Sequence, residues 1–260
     1  MNTKKLSVIL IAIAFTIVAL FSCMGMLSVK EVRVTFAVAE STDSQAIQTA
    51  LDKNLGKNLL FLTEEEVIES LKGNHYLEVL SVDKQYPNVI NVSIKERREV
   101  YLIEYDSKVY VTNEDGFVLS DNASSTQTRN KIKLELGQGV NFSQIQPGSV
   151  IKTDNDELMS AVFEMAKSVR LTDCIESIKI DRQSGELDKY DVTFNAYTGV
   201  SLCVWDVLDN GQAKAINAFK AYDELLTDYQ KNSGLIASFT TYEGVFRVTY
   251  NNEHILTVNP

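Results

Sequence analysis

The sequence predicts an α+β protein: one apolar amino-terminal helix, a compact β-α-α-β-β unit, then a mixed β-domain with two helices. Three observations lead there. Leu6 to Leu27 is an uncharged run of 22 residues. Between Val29 and Glu96, alternating segments flank two stretches of helical periodicity. Beyond Arg98 the pattern is mostly alternation, broken by two apolar stripes at helical spacing. The boundaries read from these changes are a stub at 1–5, the apolar helix at 6–27, the first unit at 28–97, the β-domain at 98–252 and a tail at 253–260.

At about 1.5 Å per residue the run "LSVILIAIAFTIVALFSCMGML" spans roughly 33 Å, close to the ~30 Å hydrocarbon core of a bilayer. It is longer than the apolar core of a cleaved signal, and no small-x-small site follows it. Cys23 follows "LFS", where bulky Phe21 replaces the small residue expected before a lipidated cysteine. The expectation is therefore an uncleaved single-pass anchor, with a lipoprotein signal and a cleaved leader as the competing readings. Lys4 and Lys5 favour a cytoplasmic amino terminus, which places the bulk of the chain outside the cytoplasm.

After the run, "VKEVRVTF" alternates as a strand. Ser41 to Ser44 offer caps for a helix whose Ile47, Leu51 and Leu55 form one stripe, with Gly56 as its stop. Thr63 to Glu66 reads as a capping box opening a second helix with Val67, Ile68 and Leu71 inward and Gly73 as terminator. Val79–Gln85 and Val89–Glu96 then make a hairpin through "YPN", with Ile90, Val92 and Ile94 on its dry face. "KERRE", Lys95 to Glu99, reads as a solvated strand end.

This β-α-α-β-β order is that of a POTRA domain. Together with the anchor, "GKNLLFL", "YPNVINVSIKERREVYLI" and "VYVTNEDGFVLS", it resembles the FtsQ/DivIB bacterial cell-division proteins over roughly Leu6 to Tyr250. The resemblance implies a second, β-rich domain that ends in a strand at the sheet edge. It also implies partners of the FtsB/DivIC and FtsL types within the septal wall-synthesis machinery, at the cell membrane of the division septum. At "VSLCVWD" this chain carries Trp205 and Asp206 where the family pattern expects a glycine.

The β-domain reads as strands at 100–104, 108–112, 131–136, 175–180, 191–194, 200–204, 235–240 and 245–250. Leu158, Val162, Met165 and Val169 stripe one helix; Ile216, Phe219 and Leu226 stripe the other. "SDNASSTQTRN", Ser120 to Asn130, is a polar surface loop. Cys174 and Cys203 sit at or in strands, as buried small hydrophobes or a disulfide pair.

Chemistry-bearing motifs are absent. His75 and His254 have no second ligand at metal spacing, and there is no G-x-S-x-G, H-E-x-x-H or P-loop. "DRQSGE" from Asp181 breaks the calcium-loop pattern at its fifth and sixth positions and reads as a strand-connecting turn, while "DND" at Asp154 to Asp156 reads as a helix cap. A net charge of −10 excludes a nucleic-acid binder, which needs a basic surface. The expectation is a non-enzymatic binding protein with no cofactor and no metal. Its recognition surface is the backbone of Val245, Phe246, Arg247, Val248, Thr249 and Tyr250, open to strand addition. Phe246, Val248 and Tyr250 face inward, and Arg247 and Thr249 outward. The alternative is a surface lipoprotein, or an anchored extracytoplasmic module that binds a small ligand or cell-wall glycan.

Overall fold

The computed structural model describes residues 13, 25–37, 44–123, 130–169, 174–186, 188–225, 236–242, 245–250 and 253–258, the last three strands by their backbone alone. Most of the expected membrane helix at 6–27, the expected cap residues 41–43 and residues 124–129 of the polar loop lie outside the described residues. Among the described residues no helix is long and apolar enough to cross a membrane. The chain divides into two compact units, one ending at Arg97 and the other beginning at Arg98.

The first unit runs β1 (Glu31–Phe36), α1 (Ser44–Leu51), a 3-10 turn (Asp52–Asn54), α2 (Glu64–Glu69), β2 (Leu77–Gln85) and β3 (Val89–Glu96). Its sheet has the order β1-β3-β2, with β1 parallel and β2 antiparallel to the central strand. Ile90, Val92 and Ile94 are fully buried, as their alternation predicts, and pack against Ile47, Leu51, Leu59 and Val67. Fully burying one such side chain contributes about 1.5–3 kcal/mol, so this layer dominates the unit's stability.

Thr63 caps α2 as expected: its Oγ1 accepts the Glu66 amide at 3.2 Å, and Glu66 Oε2 accepts the Thr63 amide at 3.1 Å. Two expected core residues are instead exposed. Leu55 follows the tighter 3-10 turn, which breaks the stripe begun by Ile47 and Leu51. Val67 of the short α2 and Leu71 in the turn after it cover the core four residues apart, leaving Ile68 rotated into solvent. Buried Asn54 ties the two helical segments together. Its Nδ2 donates to the Leu51 carbonyl and to Ser70 Oγ, and its Oδ1 accepts from Lys57 Nζ at 2.9 Å.

Arg97 also departs from the expectation of a solvated strand end. Its guanidinium donates to the carbonyls of His75 and Leu77 and lies 3.9 Å from a Glu78 carboxylate oxygen. One terminal nitrogen, Nη1, serves both backbone acceptors, so Arg97 closes the unit that β3 completes.

The second unit opens with β4 (Tyr101–Tyr105), β5 (Lys108–Thr112), β6 (Val118–Ser120) and β7 (Ile132–Leu136). A short pair, β8 (Phe142–Gln144) and β9 (Lys152–Thr153), precedes helix α3 (Leu158–Ser168). Strands β10 (Ile175–Arg182), β11 (Tyr190–Ala196) and β12 (Ser201–Val204) lead to helix α4 (Gly211–Leu225). The chain then ends in β13 (Ile236–Tyr242), β14 (Val245–Tyr250) and β15 (Glu253–Val258). All of these strands except β8 and β9 form one ten-stranded sheet of order β15-β14-β13-β12-β11-β10-β7-β4-β5-β6.

In β11, Tyr190, Val192, Phe194 and Ala196 alternate into the core, where Phe194 meets Phe219 of α4 edge-on at 5.3 Å. Leu158, Val162 and Met165 are fully buried on α3, as their spacing predicts. The α4 stripe differs: Ala215, Ala218, Phe219 and Tyr222 are buried, Ile216 is exposed, and Leu226 lies outside the described residues. Small alanines let α4 approach its neighbours closely, a preference that a search for large apolar residues overlooks. The helix cap also shifts to one residue of "DND". Asn155 Oδ1 accepts the Glu157 and Leu158 amides at 3.0 and 3.2 Å, while Asp154 pairs with Arg182 at 2.7 Å. In "DRQSGE", Asp181 and Arg182 end β10 and the turn toward β11 begins at Gln183, with Gly185 at φ +83°.

Candidate partner-binding edge

Every open sheet has two ends whose outer backbone groups lack a strand partner, and the two ends of this sheet are treated differently. At β6 the outer side is covered. Val118 donates to the Ser149 carbonyl at 2.9 Å, Gly148 donates back to the Val118 carbonyl at 2.9 Å, and Ile151 donates to the Gly116 carbonyl at 3.0 Å. Segment 148–151 therefore closes a strand only three residues long.

The turn that feeds β6 explains the "NEDG" stretch. Asn113 Oδ1 accepts the Asp115 and Phe117 amides at 3.1 and 2.8 Å, and Gly116 adopts φ +74°, a region open to glycine and costly for other residues.

The opposite end is β15, six residues long, with no strand on its outer side among the described residues. Behind it the ribbon continues inward through β14, β13 and β12. Strand β13 runs parallel to β12, with Leu202 beside Phe239 and Val204 beside Thr241. Strand β14 is antiparallel to β13, Phe246 facing Thr241 and Arg247 facing Thr240 in register. Strand β15 is antiparallel to β14, with Arg247 opposite Thr257 and Val248 opposite Leu256. The register of this last pair shifts between Val248 and Thr249.

This arrangement corrects one expectation and completes another. Val245 to Tyr250 form a strand with the expected limits, but that strand is internal, between β13 and β15, and is not the sheet edge. Residues 253–258, expected as part of a tail, are the edge strand. The signal in the sequence is a second alternating segment, 253–258, following Val245–Tyr250 after only two residues. Tyr250 and Glu253 are paired directly across those two residues. The expected division of Phe246, Val248 and Tyr250 from Arg247 and Thr249 concerns side chains outside the described ones.

Where the family pattern expects a glycine, Asp206 adopts φ +48° just after β12, so the backbone retains the conformation that glycine takes easily. Asp191 Oδ1 accepts the Asp206 amide at 3.0 Å, and Lys214 Nζ donates to the Trp205 and Asp206 carbonyls, each at 3.1 Å. These contacts fix the exit of the strand on which the β13–β15 ribbon is laid.

Burial governs the titration of two groups in the second unit. Burial raises the Cys203 thiol above its usual value, with a hydrogen bond to Thr193 partly offsetting it. A reactive cysteine needs the reverse shift. Burial likewise raises the Tyr101 phenol, reinforced by the Glu114 and Asp115 carboxylates. Cys174 and Cys203 both carry thiols and are not joined as a disulfide. Among the described residues no group of three His, Cys, Asp or Glu side chains is placed to hold a metal.

Residues 27–97 match the family of POTRA domains of the FtsQ type. The chain is 27% identical over 117 residues to the cell division protein DivIB of Clostridium botulinum strain Loch Maree, an alignment covering 44% of this chain and 41% of that protein. It is 34% identical over 62 residues to DivIB of Clostridium tetani, covering 24% and 23% of the two chains. It is 23% identical over 83 residues to the cell division protein FtsQ of Rickettsia felis, covering 32% and 31%. The chain thus spans about two fifths of the length of the curated relatives it matches first. With its β-α-α-β-β unit coinciding with that match, residues 27–97 form a POTRA domain of the FtsQ type, and the chain is similar to cell division proteins named DivIB and FtsQ.

Proposed function

We propose that this chain is a non-enzymatic scaffold of the bacterial division machinery, held in the cell membrane by the apolar run 6–27 with its two folded units outside the cytoplasm. The relatives named as cell division proteins support the process. The length and apolarity of the run support the anchor.

The observation that carries the mechanism is the contrast between the sheet's two ends. One is sealed by 148–151, and the other is a six-residue strand with no strand laid on it among the described residues. An extended segment of an FtsB/DivIC-type partner, itself assembled with an FtsL-type protein, adds to β15. Val245 to Tyr250 form the strand that holds β15 in register. Main-chain hydrogen bonds provide the affinity, and pockets for alternate side chains provide the choice of partner. Confinement of both partners to one membrane raises their effective concentration, so a short strand suffices for recruitment.

Photo-crosslinking residues introduced one at a time across 245–258 in dividing cells test this. Crosslinks to a DivIC- or FtsB-type protein, confined to this ribbon and strongest along β15, are expected. A full scan without such adducts, in a chain that still gathers at the septum, rejects the edge as the binding site.

A further inference from the structure

The first unit places most of its exposed apolar side chains at one end. Residues 27–29 and 57–59 pair side by side: Leu59 donates to the Leu27 carbonyl at 2.8 Å, Val29 to the Lys57 carbonyl at 2.9 Å, and Ser28 bridges Asn58 in antiparallel fashion. The chain then turns, Phe61 and Leu62 donating to the Asn58 carbonyl at 3.2 and 3.0 Å, which keeps Leu60 and Phe61 within two residues of the Leu59–Leu27 hydrogen bond. Leu60 and Phe61 therefore lie beside the point where the apolar run 6–27 ends, with Gly25 and Met26 still helical.

Leu60 is 51% and Phe61 71% exposed. The turn before β3 reaches the same end, since Lys30 donates to the Asn88 carbonyl at 2.8 Å, and Tyr86 in that turn is exposed too. Ile13 aside, the described residues of this unit include seven exposed large hydrophobics, and five of them (Met26, Leu55, Leu60, Phe61 and Tyr86) belong to these segments. The other two are Ile68 and Leu80. Segments 25–30, 53–62 and 86–88 contribute Lys30, Lys53 and Lys57, with exposed Glu31 and Asp52 directly beside them.

An exposed phenylalanine and two leucines, an aromatic hydroxyl and three lysines suit a bilayer interface: apolar tips for the acyl boundary, tyrosine and lysine for the headgroups. We infer that this end of the first unit rests on the bilayer surface, with Leu60 and Phe61 inserted at the acyl boundary. The inference rests on the proposed anchor. It adds that the unit is seated on the membrane, not merely tethered to it. Seating through 27–29 and 57–59 limits the swing of the first unit about the end of the anchor.

Leu80 provides an internal control. It lies on β2 at the level of Thr35 and Phe36, about 15 Å further along the strands than Glu31 at a rise of ~3.3 Å per residue. The full chain is reconstituted into phosphatidylcholine vesicles, with or without bromine in the upper acyl chain, as wild type, Phe61→Trp and Leu80→Trp. The wild-type signal of Trp205 is subtracted. The seated arrangement predicts that the added emission of Phe61→Trp is blue-shifted and quenched at least about twofold by brominated lipid, while that of Leu80→Trp is unaffected. Vesicle flotation after alkaline washing separates the two readings. If Phe61→Trp floats and its added emission is unquenched, the seating alone is overturned; a chain that does not float overturns the anchor and the seating together.

Discussion

Gly116 lies directly against the ring of Phe163: a β-carbon built at Gly116 would collide with Phe163 Cε2 and Cζ. The ring is buried on α3 and sits 5.3 Å, centroid to centroid, from the ring of Tyr101 on β4, which blocks its retreat on that side. The glycine thereby lets the turn before β6 sit down on the helix, and that turn presents the Gly116 carbonyl to the segment that seals the sheet.

Gly116→Ala therefore combines a positive φ with a clash and is expected to lower the stability of the second unit by about 2–4 kcal/mol. Chemical denaturation followed by tryptophan emission reports on this unit, because Trp205 is the chain's one tryptophan. A midpoint within error of wild type would show that the ring and turn part without cost.

Arg97→Met removes the donors that serve the His75 and Leu77 carbonyls. Hydrogen bonds from a charged donor contribute about 1.5–3 kcal/mol each, and loss on that scale is expected in the first unit. Arg97→Lys should recover only part of it, because one ammonium must replace both the Nη1 that serves the two carbonyls and the Nε beside Glu78. Hydrogen exchange at amides 77–96 reads the effect locally, and equal protection in all three proteins would contradict it.

Asn113→Ala removes the acceptor of the Asp115 and Phe117 amides. A cost of about 1–2 kcal/mol is expected, comparable to loss of a helix cap. Coupling with Gly116→Ala should be strong, since both act on one turn. Additive midpoint shifts in the double variant would argue against a shared structural unit.

Tyr101 and Cys203 are both raised by burial, which defines an alkaline limit. The folded state keeps each proton at a pH where the unfolded chain has released it, so stability falls as pH rises. The contribution is intact below the unfolded values, near 8.5 for the thiol and 10 for the phenol, and is lost as pH climbs through the folded values. Denaturation midpoints measured between about pH 8 and 11 should decline, and Tyr101→Phe should flatten the upper part of that decline. A profile of unchanged steepness in Tyr101→Phe would assign the loss to other groups.

Proline substituted singly along β15 should divide by position. Where the amide faces outward, partner binding is lost and the fold kept; where it faces β14, both suffer. Pull-down paired with proteolysis distinguishes the two classes. Uniform retention of binding at every folded position would remove the edge from consideration.

Much of the first unit is legible in sequence because its signals are local. The Thr63–Glu66 box, the Ile90-Val92-Ile94 alternation and the stop at Gly56 each act within a few residues of where they are read, although the second helix ends at Glu69, ahead of the expected stop at Gly73. In the second unit the helix stripe at Leu158, Val162 and Met165 is equally plain, and so is the span Val245 to Tyr250. Strand order and the phase of weak stripes are not legible in the same way. Side-chain size stands in for burial when a stripe is sought, which favours Ile216 over Ala215 and Ala218, and the short terminal alternation at 253–258 resembles a tail.

By itself, the sequence determined an apolar run long enough for a bilayer, the β-α-α-β-β unit and a β-rich remainder, since periodicity and capping depend on neighbours only a few residues apart. Only the tertiary structure decided that Val245–Tyr250 is internal, that 148–151 seals one end of the sheet while β15 forms the other, and that Leu60 and Phe61 stand beside the end of the apolar run. Those facts depend on backbone pairing between segments distant in the chain, and an alternating strand carries the same pattern whether one or both of its edges are occupied.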